Sequence, residues 1–220
     1  MTAKDLLSNE IFPLKTSITG AEVIEQMCEY HVSHLPIVNN EQLLGVIAED
    51  EILDNDDSQA IGTYALTLRR PFVHENDHLY SVMNKIAEQQ LSLVPVINDN
   101  GDYIGVVTQS AIMQFFSRSS SFTLPGSLLI LEMTKQDYSL ATISQIVETE
   151  RAAILSNFIF SSEESELARV VIKINKKDVR HIAATFERYG MRVAAMFNEA
   201  DYADEFLSDR YDSLMSYLSV

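Results

Sequence analysis

Two stretches of this chain spell nearly the same pattern about 60 residues apart. His34-Leu35-Pro36-Ile37-Val38 returns as Leu93-Val94-Pro95-Val96-Ile97, and Leu44-Gly45-Val46-Ile47 returns as Ile104-Gly105-Val106-Val107. The offset is 59 before the intervening turn and 60 after it, so the second copy holds one extra turn residue. A duplication of this size limits the fold sharply. Each copy is one supersecondary unit, and its apolar face is covered by stacking on a neighbouring copy.

The two copies give the same local reading. Val23, Ile24 and Met27 correspond to Val82, Met83 and Ile86, at the spacing of one helix face, which predicts helices over about Gly20–Tyr30 and Leu79–Gln89. A short apolar strand with proline near its start follows, and proline there places its missing N–H at a strand start or edge. The polar turns Asn39-Asn40-Glu41-Gln42 and Asn98-Asp99-Asn100-Gly101 then lead into a second apolar strand, a hairpin signal. Glu51-Ile52-Leu53 and Ala111-Ile112-Met113 read as a second short helix closing each unit. The repeat is therefore β-α-β-β-α, present twice, within an α/β (α+β) fold.

That duplicated unit resembles the cystathionine-β-synthase (CBS) domain pair, or Bateman module. The resemblance rests on an x-H-x-L-P-V-V strand followed by G-h-h-T-x-x-D, and it covers about residues 1–120, divided as 1–60 and 61–122. It implies a regulatory protein, not an enzyme, whose cleft holds ATP, ADP, AMP, S-adenosylmethionine or another adenosyl ligand. In such a motif the carboxylate six residues past the strand glycine faces ribose, and the threonine three residues past it faces phosphate. Here those positions are Ala48 and Glu51 in the first copy, and Thr108 and Ala111 in the second, so each copy keeps one half of the pair. The resemblance makes Glu51, Thr108, Thr16, His34, Pro36 and Pro95 candidate ligand contacts. Glu51 reads equally as a residue near the positive end of a helix, Thr108 as a β-branched residue closing a strand, and Thr16 as a turn residue. For phosphate, the candidate cations are Lys15 and the link residues Arg69 and Arg70, since arginine holds phosphate bidentately.

The second half is patterned differently. Pro125-Gly126 marks a junction. Leu128–Met133 reads as a strand, and Leu140, Ile143, Ile146 and Val147 form a helical stripe. Ala153–Ser161 and Leu167–Ile174 read as strands around the turn Ser162–Glu166. Val179, Ile182, Ala183 and Phe186 make another stripe before Gly190, and Met191–Met196 is a last strand. The order βαββαβ is the ferredoxin-like split βαβ. On residues 126–198 it resembles an ACT-like domain, which implies subunit pairing and an amino-acid ligand. The loop Thr134–Ser139 departs from that family in lacking a glycine, which disfavours the ligand. Leu207, Tyr211, Leu214 and Leu218 predict a C-terminal amphipathic helix within 199–220. A CBS pair followed by an ACT-like domain is similar to the acetoin-utilisation protein B family.

Charge narrows the partners. Sixteen Lys+Arg against thirty-two Asp+Glu leaves a net charge of −16, which repels nucleic acid and anionic membranes. The lone Cys28 fits a reducing compartment, and no leader or spanning run is visible, so a cytoplasmic protein is expected. Cys28, His31 and His34, and His74 with His78, lack a fourth ligand at metal spacing, so no metal centre is expected. The motifs of nucleophile elbows, P-loops, dinucleotide folds and zinc proteases are missing. The reading is a homo-oligomer, a homodimer, that senses an adenosyl compound and acts on an unidentified protein. Its alternatives are a ligand-free structural or interaction module and an amino-acid sensor acting through the ACT-like domain.

Overall fold

The computed structural model describes residues 1–8, 10–64, 68–162 and 164–199. The predicted C-terminal helix lies outside the described residues. The chain divides into two compact units, Met1–Phe116 and Ser117–Val220.

In the first unit each copy begins with an amphipathic helix, α1 (Gly20–Tyr30) in the first. Thr19 and Glu22 form a reciprocal cap at its start: the Thr19 N–H donates to Glu22 Oε2 at 2.9 Å, and the Glu22 N–H donates to Thr19 Oγ1. The chain leaves α1 through His31, whose positive φ of 54° lets its N–H reach back to the last helical carbonyls. The hairpin β1 (His34–Asn39) and β2 (Gln42–Ala48) follows. Asn40 and Glu41 both have positive φ, so the turn is the two-residue kind whose twist matches the strands. A short helix, α2 (Glu49–Leu53), closes the copy.

The second copy runs β3 (Val73–His74), α3 (Leu79–Glu88), β4 (Leu93–Ile97), β5 (Tyr103–Thr108) and α4 (Gln109–Ser117). Its hairpin connection is longer, with Gly101 at φ 88° and the Asn98 side chain accepting from the Asn100 and Asp102 N–H groups. β3 lies parallel to β4, and Leu14 makes the matching isolated bridge to Ile37 in the first copy.

The copies exchange their leading segments. Ser8, which precedes the first copy, bridges Val106 of β5; Arg69, which precedes the second, bridges Val46 of β2. The strand glycines make room for this crossing. A Cβ on Gly45 would meet the Arg69 carbonyl oxygen at 2.9 Å, and one on Gly105 would meet Leu7 at 3.1 Å. The 3-10 turn Ala3–Leu6 accordingly packs into the second copy's core with Val73, Val82 and Val107. Its counterpart, Ile61–Thr63, closes the first copy's core with Val23, Leu35 and Ile47. Each of the two cores therefore takes residues from both copies.

The second unit starts with a one-turn helix, α5 (Ser120–Thr123), and then builds β6 (Ser127–Thr134), α6 (Leu140–Thr149), β7 (Ile154–Ser161), β8 (Leu167–Ile174), α7 (Arg180–Arg188) and β9 (Arg192–Phe197). The sheet order β7-β8-β6-β9 is antiparallel throughout. With the first and third strands central, this is the split βαβ arrangement. Strict alternation sends Leu129, Leu131 and Met133 of β6 and Val170, Ile172 and Ile174 of β8 to one face, where Ile143, Ile146, Ile182 and Phe186 cover them. Leu140, on the expected stripe of α6, is exposed. Phe158, Phe160, Leu167 and Phe197 are also exposed large side chains of this unit.

Candidate functional site

The helix after each hairpin starts at the half-kept motif, and the structure gives each half a local partner. In the first copy Ala48 has no side-chain acceptor at the cap position, and Glu51 Oε2 accepts from the Ala48 N–H at 2.8 Å. In the second copy Thr108, 8% exposed, accepts at Oγ1 from the Ala111 N–H at 2.9 Å. A cap of the form Thr-x-x-Glu needs both residues. This chain splits that device, with the acid in one copy and the hydroxyl in the other. The motif positions that suggest ribose and phosphate thus have a structural task at the helix start.

Two clefts lie at equivalent places beside these helix starts. The first is a cavity of about 230 Å³ lined by His34, Ala48, Asp50, Glu51, Arg69 and Gln89, among others. It thus brings together three of the expected residues, His34, Glu51 and Arg69. A larger cavity of about 850 Å³ shares Arg69, Pro71 and Gln89 with it and adds Arg70, His74 and Lys85. The second cleft, about 440 Å³, is lined by Thr108 with Glu10, Glu29, Tyr30, His31 and Ser92.

Lys15 and Thr16 sit elsewhere, in the exposed turn before α1, where the Thr16 carbonyl accepts from the Gly62 N–H. Pro36 and Pro95 are buried inside β1 and β4, paired with Val46 and Val106. None of these four lines the cavities just described.

His34 connects the copies. Its Nδ1 accepts from the Ser92 N–H at 3.3 Å and lies 3.1 and 3.2 Å from the Ser33 and Ser92 hydroxyls. An accepting Nδ1 leaves the proton of the neutral ring on Nε2. Burial holds the imidazole pKa below its ordinary value, against the opposing pull of Glu51 and Asp50. Ser33 and Ser92 stand one residue before the repeated strands, and this matching offset is the sequence signal that would have marked them. Lys85 and His74 carried no such signal, since their place depends on how α3 and β3 pack.

Among the described residues, no three His, Cys, Asp or Glu side chains gather as a metal-holding group. In the second unit, Glu132 binds Arg192 at 2.6 Å and lies 3.7 Å from Arg169, beside a cavity of about 590 Å³ that includes Phe160 and Leu167. The expected loop Thr134–Ser139 is tied locally, with the Thr134 hydroxyl donating to Asp137 Oδ2 at 2.6 Å. Among the described residues, no helix is long and apolar enough to cross a membrane.

Comparison with known proteins bears on the first unit. The sequence profile of the CBS domain matches residues 3–57 and 65–118. An uncharacterised protein of Methanocaldococcus jannaschii is 22% identical over 114 residues, 51% of this chain and 38% of that protein. A homoserine O-acetyltransferase of Methanosphaera stadtmanae is 28% identical over 122 residues, 52% of this chain and 24% of the enzyme. The chain thus spans well under half the length of these curated relatives. Among solved structures, a CBS domain pair/ACT domain protein from Thermotoga maritima is 20% identical, covering 53% of this chain and 96% of its own, with a TM-score of 0.47.

Proposed function

This chain carries a CBS domain pair, and from that premise we propose that it is a regulatory, ligand-sensing protein that binds an adenosyl compound in the clefts of the pair and acts by conformational change on a partner. What supports the reading is the family match together with one observation: a carboxylate-bearing cavity at His34 and Glu51 opens beside a cation-bearing one at Arg69, Arg70 and Lys85. Carboxylates suit the two donors of a ribose diol, and arginines suit phosphate. A ligand held there biases the protein only through its different affinity for two states. The second unit, with its split βαβ sheet, is read as an ACT-like partner in that response, in an arrangement similar to the acetoin-utilisation protein B family, working as a cytoplasmic homodimer.

The reading places no catalytic step in this chain. The homoserine O-acetyltransferase relative shares with this chain a segment that makes up 24% of its own length. Melting temperature measured against ATP, ADP, AMP, S-adenosylmethionine and free amino acids tests the proposal. A ligand at 100 times its Kd adds about 2.7 kcal/mol, a shift of several degrees. A shift with adenosyl compounds supports the sensor. No shift with any of them overturns it in favour of a ligand-free interaction module, a reading that the local use of Glu51 and Thr108 as helix caps also fits. A shift with amino acids alone moves the sensing role to the second unit.

A further inference from the structure

We infer that the two clefts sort ligands by charge: the first takes a phosphorylated nucleoside, with its phosphates among Arg69, Arg70 and Lys85, and the second takes an adenosyl compound without phosphate. The inference rests on the adenosyl reading above and assigns a different chemical class to each cleft. Residues 1–122 contain six Lys and Arg against seventeen Asp and Glu, so cations are scarce. Three of the six line one cavity. Among the described residues none of these three takes part in an ion pair, whereas Lys4, Arg169, Arg180 and Arg192 do.

The carboxylates nearby are arranged to match. Asp77 lines the same cavity, but its Oδ2 accepts from the His74 N–H at 2.8 Å. Glu88 is the other acid there. Asp50 and Glu51 line the adjoining cavity, joined to the first through Arg69, Pro71 and Gln89. One molecule with a diol end and a phosphate end fits this polarity. The second cleft presents Glu10 and Glu29 beside His31, and among the described residues no Lys or Arg lines it. A phosphate there would face two carboxylates with no lysine or arginine lining the cleft to offset them. An uncharged or cationic adenosyl group meets no such penalty.

Calorimetric titration of the full chain with ADP and with 5′-methylthioadenosine tests this. ADP should bind once per chain, with affinity that falls as salt rises. Arg70→Ala and Lys85→Ala should each weaken ADP by about tenfold, the scale of one lost charged hydrogen bond, and leave 5′-methylthioadenosine within about twofold. The ADP-saturated protein should still bind 5′-methylthioadenosine. Arg70 is exposed, and an unchanged melting temperature of each variant without ligand verifies that the fold is intact. ADP affinity unchanged in both variants overturns the inference, as does loss of all 5′-methylthioadenosine binding under saturating ADP. Binding of 5′-methylthioadenosine without any binding of ADP overturns the sorting and leaves the adenosyl reading standing. Binding of neither overturns both.

Discussion

In the first copy the chain leaves β2 at Ala48, whose methyl offers no acceptor, and Glu51 reaches back to the Ala48 N–H. In the second copy it leaves β5 at Thr108, whose hydroxyl reaches forward to the Ala111 N–H. The helix start is the same in both, and it is served from opposite ends. Four N–H groups at a helix start lack intrahelical partners; either side chain satisfies one of them, and the Ser33 and Ser92 carbonyls accept from a second, at Glu49 and Gln109. A motif residue can thus persist for a backbone reason, whatever it does for a ligand. The surroundings of the two starts diverge further, with arginines and a lysine near one and glutamates near the other.

The comparison breaks most severely where the copies' cores are closed. Ile61 is 2% exposed in the first core, and its counterpart in the second is Ala3. Ile61→Ala should cost about 2–5 kcal/mol, the lost burial of the side chain plus the cavity left among Val23, Leu35 and Ile47. Chemical denaturation reads this as a lower midpoint. A loss under 1 kcal/mol would mean that the core collapses around the smaller residue.

The caps give the next effects. Thr108→Ala removes the acceptor for the Ala111 N–H and should cost about 1 kcal/mol. Completing the pair should do the reverse: Ala48→Thr, with Glu51 already in place, should stabilise by about 0.5–1 kcal/mol. If Ala48→Thr instead destabilises while Thr108→Ala does as expected, the two starts differ in backbone geometry and not only in side chains.

The smallest contrast is a pH dependence confined to one copy, since His34 is matched by Leu93. Burial lowers the His34 pKa in the folded protein, whereas the unfolded imidazole titrates near its ordinary 6.5. Between those two values the unfolded chain binds more protons. Stability therefore rises with pH through that window and is lost as pH falls through it. Unfolding titrations of the wild type and His34→Gln from pH 7 to 5 should show a shallower slope in the variant. Parallel slopes would show that His34 titrates alike in both states.

Much of this was legible in the sequence, and what was not has identifiable causes. The repeated Pro36 and Pro95 strands follow from short continuous apolar runs, while the helix at Gly20–Tyr30 and the first strand of the second unit follow from periodicities of 3.6 and 2. β3 holds two residues, too few for any period to register. The packing of Ala3 and Leu6 on the second copy was hidden because they precede the repeated pattern and differ from Ile61 and Tyr64 in type. For the site, residue type marked Glu51 and Thr108. A carboxylate or hydroxyl acceptor serves a ribose or a backbone N–H equally well, and only the folded path of the chain decides between them. Lys85 carries no sequence signal because it shares a cavity with Arg69 and Arg70 only through the folded path of the chain.

The exchange of leading segments has a consequence for how such a molecule can change over generations. A copy cut out alone loses part of its own interior: residues 61–118 lack Ala3 and Leu6, and residues 1–57 lack Ile61. Each member of the duplication therefore completes the interior of the other. Side chains at the rims are under no such bond. The two copies can drift apart in cap and charge while Gly45 and Gly105 hold the crossings open, so that one repeated sequence is free to acquire two different rims without ever becoming two proteins.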